Sequence, residues 1–262
     1  MDSNWTDLGL QSPEGLSRDR FLGGKLWLNQ PRAGYRAGVD PVLLAASIPA
    51  SAGQSLLDIG CGIGTAALCA GTRVPGLRLS GLERQAPYAA LARRNARENG
   101  LEMVIHEGDL TRMPPDLRQE RFDHVIANPP YFRRNASIPS HIRDREGALG
   151  EETPLDLWVD AASRRCAPGG FVTFIHRAER LPELMAAFDA RLGSLELKPL
   201  IPRRGRESQL ILLRGRKEGR GAFRLHAGLL LHENASHTSD HSDYTREASR
   251  ILRDGESLIF TG

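Results

Sequence analysis

Leu56-Leu57-Asp58-Ile59-Gly60-Cys61-Gly62-Ile63-Gly64-Thr65 is the stretch that decides the fold. A short apolar run carrying one acidic residue meets three alternating glycines, and an alanine-rich segment opens at Thr65. That order reads as a buried strand, a tight turn and a helix. Glycines let the backbone turn sharply and approach a ligand closely at the carboxyl end of a strand. The spacing is G-x-G-x-G and not the G-x-G-x-x-G of dinucleotide-binding turns.

The same alternation continues outward. Leu79 to Glu83 reads as a strand, and Ala86 to Glu98 as a helix with Gly100 at its C-terminal end. Met103 to Glu107 and Asp123 to Ala127 are further strands. A helix over Pro154 to Cys166 leads through Ala167-Pro168-Gly169-Gly170 into the strand Phe171 to Ile175. Glu179 to Leu192 is helical. Leu195 to Ile201 and Gln209 to Leu213 are strands with no helix between them, which favours antiparallel pairing. Upstream, Asp40-Pro41 starts a helix, with Asp as N-cap and Pro at the first helical position. Gly24 to Gln30 alternates weakly as a short strand, and residues 1–20 read as a loose terminus. The expectation is one α/β domain over 21–262, with a doubly wound, mostly parallel seven-stranded sheet and an antiparallel last strand.

Composition narrows the class. The chain has 262 residues, 40% hydrophobic and 26% charged, which excludes a wholly disordered protein. No stretch approaches the roughly 20 apolar residues of a membrane span, and no membrane partner is expected. Met1-Asp2-Ser3-Asn4-Trp5 lacks the basic-then-apolar signal pattern. Cys61, Cys69 and Cys166 are sparse, odd in number and without CxxC spacing, as suits a reducing, cytoplasmic location. The net charge is only +3, yet Arg203, Arg204, Arg206, Arg214, Arg216, Lys217, Arg220 and Arg224 face only Glu207 and Glu218, a local net of +6. Such a stripe suits a polyanion, and equally a solvated loop.

Two carboxylates stand where a nucleoside can be read. Glu83 ends the strand after the glycine turn, where a carboxylate accepts hydrogen bonds from both hydroxyls of a ribose. Asp109, in Glu107-Gly108-Asp109-Leu110, ends the next strand and can face an adenine edge. After the following strand comes Asn128-Pro129-Pro130-Tyr131. Two prolines remove two amide donors and stiffen the turn. The carbonyl oxygens of Asn128 and Pro129 can accept both hydrogens of one planar amino group, and Tyr131 can stack on the ring that carries it.

On these elements the chain resembles the class I S-adenosylmethionine-dependent methyltransferases, whose fold is Rossmann-like. In that family the glycine turn passes under the cofactor's methionine part, the acid after the second strand holds the ribose and the Asp after the third contacts adenine. Asp58, Gly60, Gly62, Glu83, Asp109 and Leu110 occupy the matching cofactor positions, with Asn128 between cofactor and substrate. Asn128-Pro129-Pro130-Tyr131 resembles the signature of methyltransferases acting on planar amines and amides, which implies Asn128, Pro129 and Tyr131 as catalytic residues. Gly34-Tyr35-Arg36-Ala37-Gly38-Val39-Asp40 and the late Tyr244-Thr245-Arg246-Glu247 add a resemblance to the bacterial tRNA (adenine-N6)-methyltransferase group. Tyr35 and Arg36 then join the cofactor set, Arg36 as a cation for its carboxylate.

The implied activity is methyl transfer to an adenine N6 amino group in RNA, with tRNA near the anticodon the expected partner. The alternatives are a guanine-N2 RNA methyltransferase, a protein glutamine methyltransferase and a non-catalytic RNA-binding protein of this fold. Residues 132–153, with Arg133, Arg134, His141, Arg143 and Arg145, are expected to form a variable substrate loop. His226, His232, Glu233, His237, Asp240 and His241 crowd together, but their spacing matches no metal motif, and no metal is expected.

Overall fold

The computed structural model describes residues 15–34, 36–131, 153–234 and 243–260. The glycine stretch folds as read. β3 (Ser55–Ile59) is buried throughout and runs through the turn into α2 (Thr65–Arg73). β4 (Arg78–Glu83), α3 (Ala86–Glu98), β5 (Met103–Glu107), α4 (Pro115–Gln119) and β6 (Phe122–Ala127) continue the alternation. They are followed by α5 (Leu155–Arg165), β7 (Cys166–Arg177), α6 (Leu181–Asp189), β8 (Gly193–Arg203) and β9 (Leu210–Arg216).

These seven strands lie in the order β8-β9-β7-β6-β3-β4-β5. β3 to β7 are mutually parallel, and β9 runs antiparallel between β7 and β8. Two short strands, β10 (Arg224–Leu225) and β11 (Leu229–His232), add parallel to β8 and extend the sheet to nine. Each face of the sheet carries its own apolar layer. One gathers α1 (Asp40–Ala46), α2 and α3 through Leu43, Leu44, Leu68 and Leu91; the other gathers α5 and α6 through Leu155, Val159, Leu184 and Phe188.

The differences from expectation lie at element ends. β1 (Leu16–Phe21) pairs antiparallel with β2 (Leu26–Pro31), so strand structure begins inside the stretch read as a loose terminus, whose residues 1–14 lie outside those described. The hairpin is held by side chains far away in sequence. The amide of Asn95, fully buried on α3, accepts from Asn29 N and donates to Asn29 O and Ile63 O at 2.8–3.2 Å. Asn99 repeats the device on Trp27. Asp40 is the first residue of its helix and not the N-cap, which is Val39. β7 runs beyond both predicted ends, reaching His176 and Arg177 through its pairing with β9. Late in the chain a one-turn helix (Arg246–Ser249), capped by Thr245, is continued by a π-turn over Arg250–Asp254.

Candidate active site

Register alone gathers the expected residues. Ile59 pairs with Leu82 and with Ala127, and Glu83 pairs with Glu107. Gly60, Glu83, Asp109 and Asn128 therefore stand at or just beyond the carboxyl ends of four adjacent parallel strands. β3 lies where the strand order reverses, and a ligand crevice forms at such a point.

In the glycine turn, Gly60 and Gly62 both have positive φ, +72° and +56°. Their surroundings differ. A Cβ on Gly60 would lie 2.7 Å from the Trp158 ring, so this glycine lets α5 close against the turn. A Cβ on Gly62 would meet nothing within 4 Å, so this glycine keeps open the space in front of the turn.

Glu83 is buried, and its two oxygens accept from Gly62 N at 2.9 Å and Gln85 N at 2.8 Å. Burial pushes its carboxyl above the usual range, and these amide bonds hold it back in part. Asp58 lies deeper. Its carboxyl is buried under α2 with a backbone hydrogen bond to Ala67, and burial raises it to about 8, so it is a neutral acid at neutral pH. Asp109 caps the 3-10 turn Leu110–Arg112, accepting from Thr111 N at 2.8 Å and Thr111 Oγ1 at 2.6 Å. Burial pushes Asp109 upward, but these bonds and nearby Arg84 outweigh it and leave the carboxyl below its ordinary range. Leu110 is half-buried and packs toward the core on the α5 side. The open cradle at Gly62 beside a carboxylate at the next strand end fits a nucleoside-bearing cofactor.

Arg36 is engaged by the β1–β2 hairpin. Its guanidinium donates to Asp19 and Ser17 of β1 at 2.7 Å and to Pro31 O at 2.8 Å. Gln30 joins the cluster through Asp19 and accepts from Ala37 N. The early motif is thereby tied to the hairpin. Tyr35, residues 132–152, His237, Asp240 and His241 lie outside the described residues.

Across β3, Asn128 is half-buried with its Oδ1 out of solvent contact, and Pro129 is buried. The Tyr131 hydroxyl donates to Asp40 Oδ2 at 2.5 Å. Arg177 lies over the Tyr131 ring at 5.2 Å, and His176 meets it at 68° with 5.3 Å between centroids. His176 Nδ1 accepts from Arg177 N at 2.8 Å, which places the ring proton on Nε2. Burial depresses His176 to about 4, with Arg180 adding to the effect, so the imidazole is neutral at neutral pH. Motif reading quotes Asp40 but misses its contact with Tyr131, and it misses His176 and Arg177 beside that ring. The available signal is a polar His-Arg pair at the end of the strand beside the Asn128 strand.

The basic stretch is divided by the fold. Arg203, Arg204 and Arg206 lie at the β8–β9 turn, at the end of the sheet where β7 presents Arg177, because Leu210 pairs with both Arg177 and Leu200. Arg203 is ion-paired with Asp243, which also binds His232; the Arg203 bond foremost drives the Asp243 carboxyl far below the usual range. Arg214 and Arg224 lie toward the opposite end and converge on buried Glu196. A cavity of about 420 Å³ opens there, lined by Phe171, Glu196, Arg214, Arg216 and Arg224, away from the strand-end crevice. The described residues contain no group of three His, Cys, Asp or Glu placed to hold a metal ion. They contain no helix long and apolar enough to cross a membrane.

Comparison with known proteins agrees with this fold. The family model "Methyltransferase small domain" matches residues 37–144. A tRNA1(Val) (adenine(37)-N6)-methyltransferase of Porphyromonas gingivalis is 34% identical over 182 residues, covering 64% of this chain and 69% of the relative. Its counterpart in Aeromonas hydrophila is 28% identical over 216 residues, covering 80% of this chain and 88% of the relative. Among solved structures, one described as a predicted O-methyltransferase from Agrobacterium tumefaciens superposes with a TM-score of 0.68 at 26% identity, over 84% of this chain and 98% of its own.

Proposed function

The chain belongs to the class I S-adenosylmethionine-dependent methyltransferases, and on that footing we propose that it methylates the exocyclic N6 amino group of an adenine in tRNA, beside the anticodon. The observation that carries the reading is the place of Asn128-Pro129-Pro130-Tyr131 at the end of β6, next to the β3 turn that opens the cofactor cradle. The tRNA1(Val) adenine-N6 names of the relatives support the choice of acceptor.

Bound at the turn, S-adenosylmethionine supplies a methyl group activated by a sulfonium. The chain supplies alignment. The Glu83 carboxylate would hold the ribose hydroxyls and Gly62 would leave room for the methionine part; Asp109, with Oδ1 committed to Thr111 and Oδ2 3.8 Å from Arg84, would contact the adenine edge. On the acceptor side, an aromatic amine is a poor nucleophile because its lone pair is delocalised into the ring. Asn128 Oδ1 and the Pro129 carbonyl accept its two hydrogens and favour a pyramidal nitrogen. They therefore bind most strongly where geometry changes in the transition state. Tyr131 supports the extruded base by stacking.

Charge supports an RNA acceptor. Arg177 overlies Tyr131, and Arg204 and Arg206 are exposed on the turn at the same end of the sheet, where phosphates flanking the base would pass. Arg133 and Arg134, outside the described residues, are proposed to hold phosphates flanking the base. The test is methylation of total tRNA from a strain lacking the gene, followed by nucleoside mass spectrometry. N6-methyladenosine is the expected product. N2-methylguanosine, or label in protein, would replace this reading with one of its alternatives.

A further inference from the structure

We propose that Asp40 is a positioning residue for methyl transfer: it holds the Tyr131 phenol, and through it fixes the ring on which the acceptor base rests. The inference rests on the acceptor-stacking role proposed for Tyr131. The two residues are 91 positions apart, and the Tyr131 hydroxyl donates to Asp40 Oδ2 at 2.5 Å. A phenol donating to a carboxylate at that separation is a short, charge-assisted hydrogen bond. Asp40 is the first residue of α1.

The other restraints on the ring come from a different element. Arg177 and His176 end β7 and meet the ring over its face and at a steep angle. They confine its plane, whereas a hydrogen bond at the far end of the side chain fixes how far it swings about χ1. A stacking platform needs both. This also gives the early motif a purpose that its cation does not serve. Arg36 is committed to Asp19, Ser17 and Pro31. The segment is thereby pinned to the β1–β2 hairpin at one end and delivers a carboxylate to the acceptor side at the other.

The experiment is a double-mutant cycle on Asp40→Ala and Tyr131→Phe, with Asp40→Asn as the conservative variant. It is read in single-turnover methylation of total tRNA and in urea unfolding. Asp40→Ala and Tyr131→Phe should each lower the transfer rate about tenfold, the weight of one charge-assisted hydrogen bond. S-adenosylmethionine affinity should stay within about twofold. The double variant should be no slower than the slower single one, because both remove the same hydrogen bond. Asp40→Asn keeps an acceptor oxygen and should recover most of the lost rate, which a helix-end role for the charge would not allow. Multiplying rate losses in the double variant, or an Asp40→Ala rate within about twofold of wild type, would overturn the proposal. If the wild-type protein does not methylate tRNA, the acceptor reading falls and the unfolding cycle decides this pair. Coupled losses in unfolding free energy uphold the hydrogen bond, and additive losses refute it.

Discussion

On the β4 side of β3, the crevice is made by residues close together in sequence. Glu83 accepts from Gly62, 21 residues before it, and from Gln85, two residues after it, and Asp109 accepts from Thr111. On the β6 side it is made across the chain: Tyr131 reaches Asp40, and Arg177 and His176 arrive on β7. The first side is a backbone device, with carboxylates and a turn holding one another before any ligand arrives. The second is a side-chain device, in which several elements must meet for one ring to be set. Damage on the first side should therefore appear in cofactor affinity, and damage on the second in the rate of transfer.

The largest effect is expected on the acceptor side. Asn128→Ala removes a hydrogen-bond acceptor that acts as the amino nitrogen changes geometry. It should lower single-turnover methylation on the order of 10²-fold while RNA affinity changes much less. Equal losses in both, measured by quenched-flow and filter binding, would make Asn128 a binding residue and erase the contrast between the two sides. Next comes Glu83→Ala, which should weaken S-adenosylmethionine binding by about 1–3 kcal/mol in calorimetric titration. Glu83→Gln keeps an acceptor for the Gly62 amide and should recover part of that loss. Unchanged affinity in folded Glu83→Ala would remove the carboxylate from the cofactor site.

Legibility in the sequence follows the same division. The strand, turn and helix around Gly60 to Gly64 are coded by adjacent residues, so the reading of 55–73 and the positions of Glu83 and Asp109 carry over directly into the sheet. Asn128-Pro129-Pro130-Tyr131 is equally local and equally legible. What holds Tyr131 is not, because Asp40 reads as a helix start, and His176 and Arg177 lie past the strand as read, which ends at Ile175, until registers are known. The ion pair of Arg36 with Asp19 is not legible, because Asp19 lies in a stretch with no strand pattern strong enough to be seen. The basic stretch misleads by its continuity: Arg203 and Arg206 sit at one end of the sheet, and Arg214 and Arg224 at the other, both paired to Glu196. A hairpin of two long strands separates them, and linear charge does not record a hairpin.

Asp58 tests the backbone side through folding stability and not through cofactor affinity. With its carboxyl raised from 3.8 to about 8, the folded protein holds a proton that the unfolded chain releases. Its contribution is therefore most favourable below about pH 4 and is lost as pH rises toward 8, by at most about 1.4 kcal/mol per pH unit. Asp58→Asn should flatten that fall in urea unfolding between about pH 5 and pH 8. An unaltered slope would mean that the buried acid is ionised.

The smallest effect is expected at the exposed turn. Replacing Arg204 and Arg206 by glutamine should weaken RNA binding modestly and lower its salt slope by about 0.7 to 0.9 for each phosphate no longer neutralised. The same change at Arg214 and Arg224 should leave the slope alone. Equal changes at the two ends would mean that RNA runs the full length of the sheet edge.

The central claim is that the cofactor lies on the β4 side of β3 and the acceptor base on the β6 side. A crystal structure with S-adenosylhomocysteine and adenosine tests it most directly. The account predicts the cofactor's ribose hydroxyls on the Glu83 carboxylate, with the adenosine amino group between Asn128 Oδ1 and the Pro129 carbonyl and its base on Tyr131. An adenosine bound elsewhere, with Asn128 instead holding part of the cofactor, would contradict it.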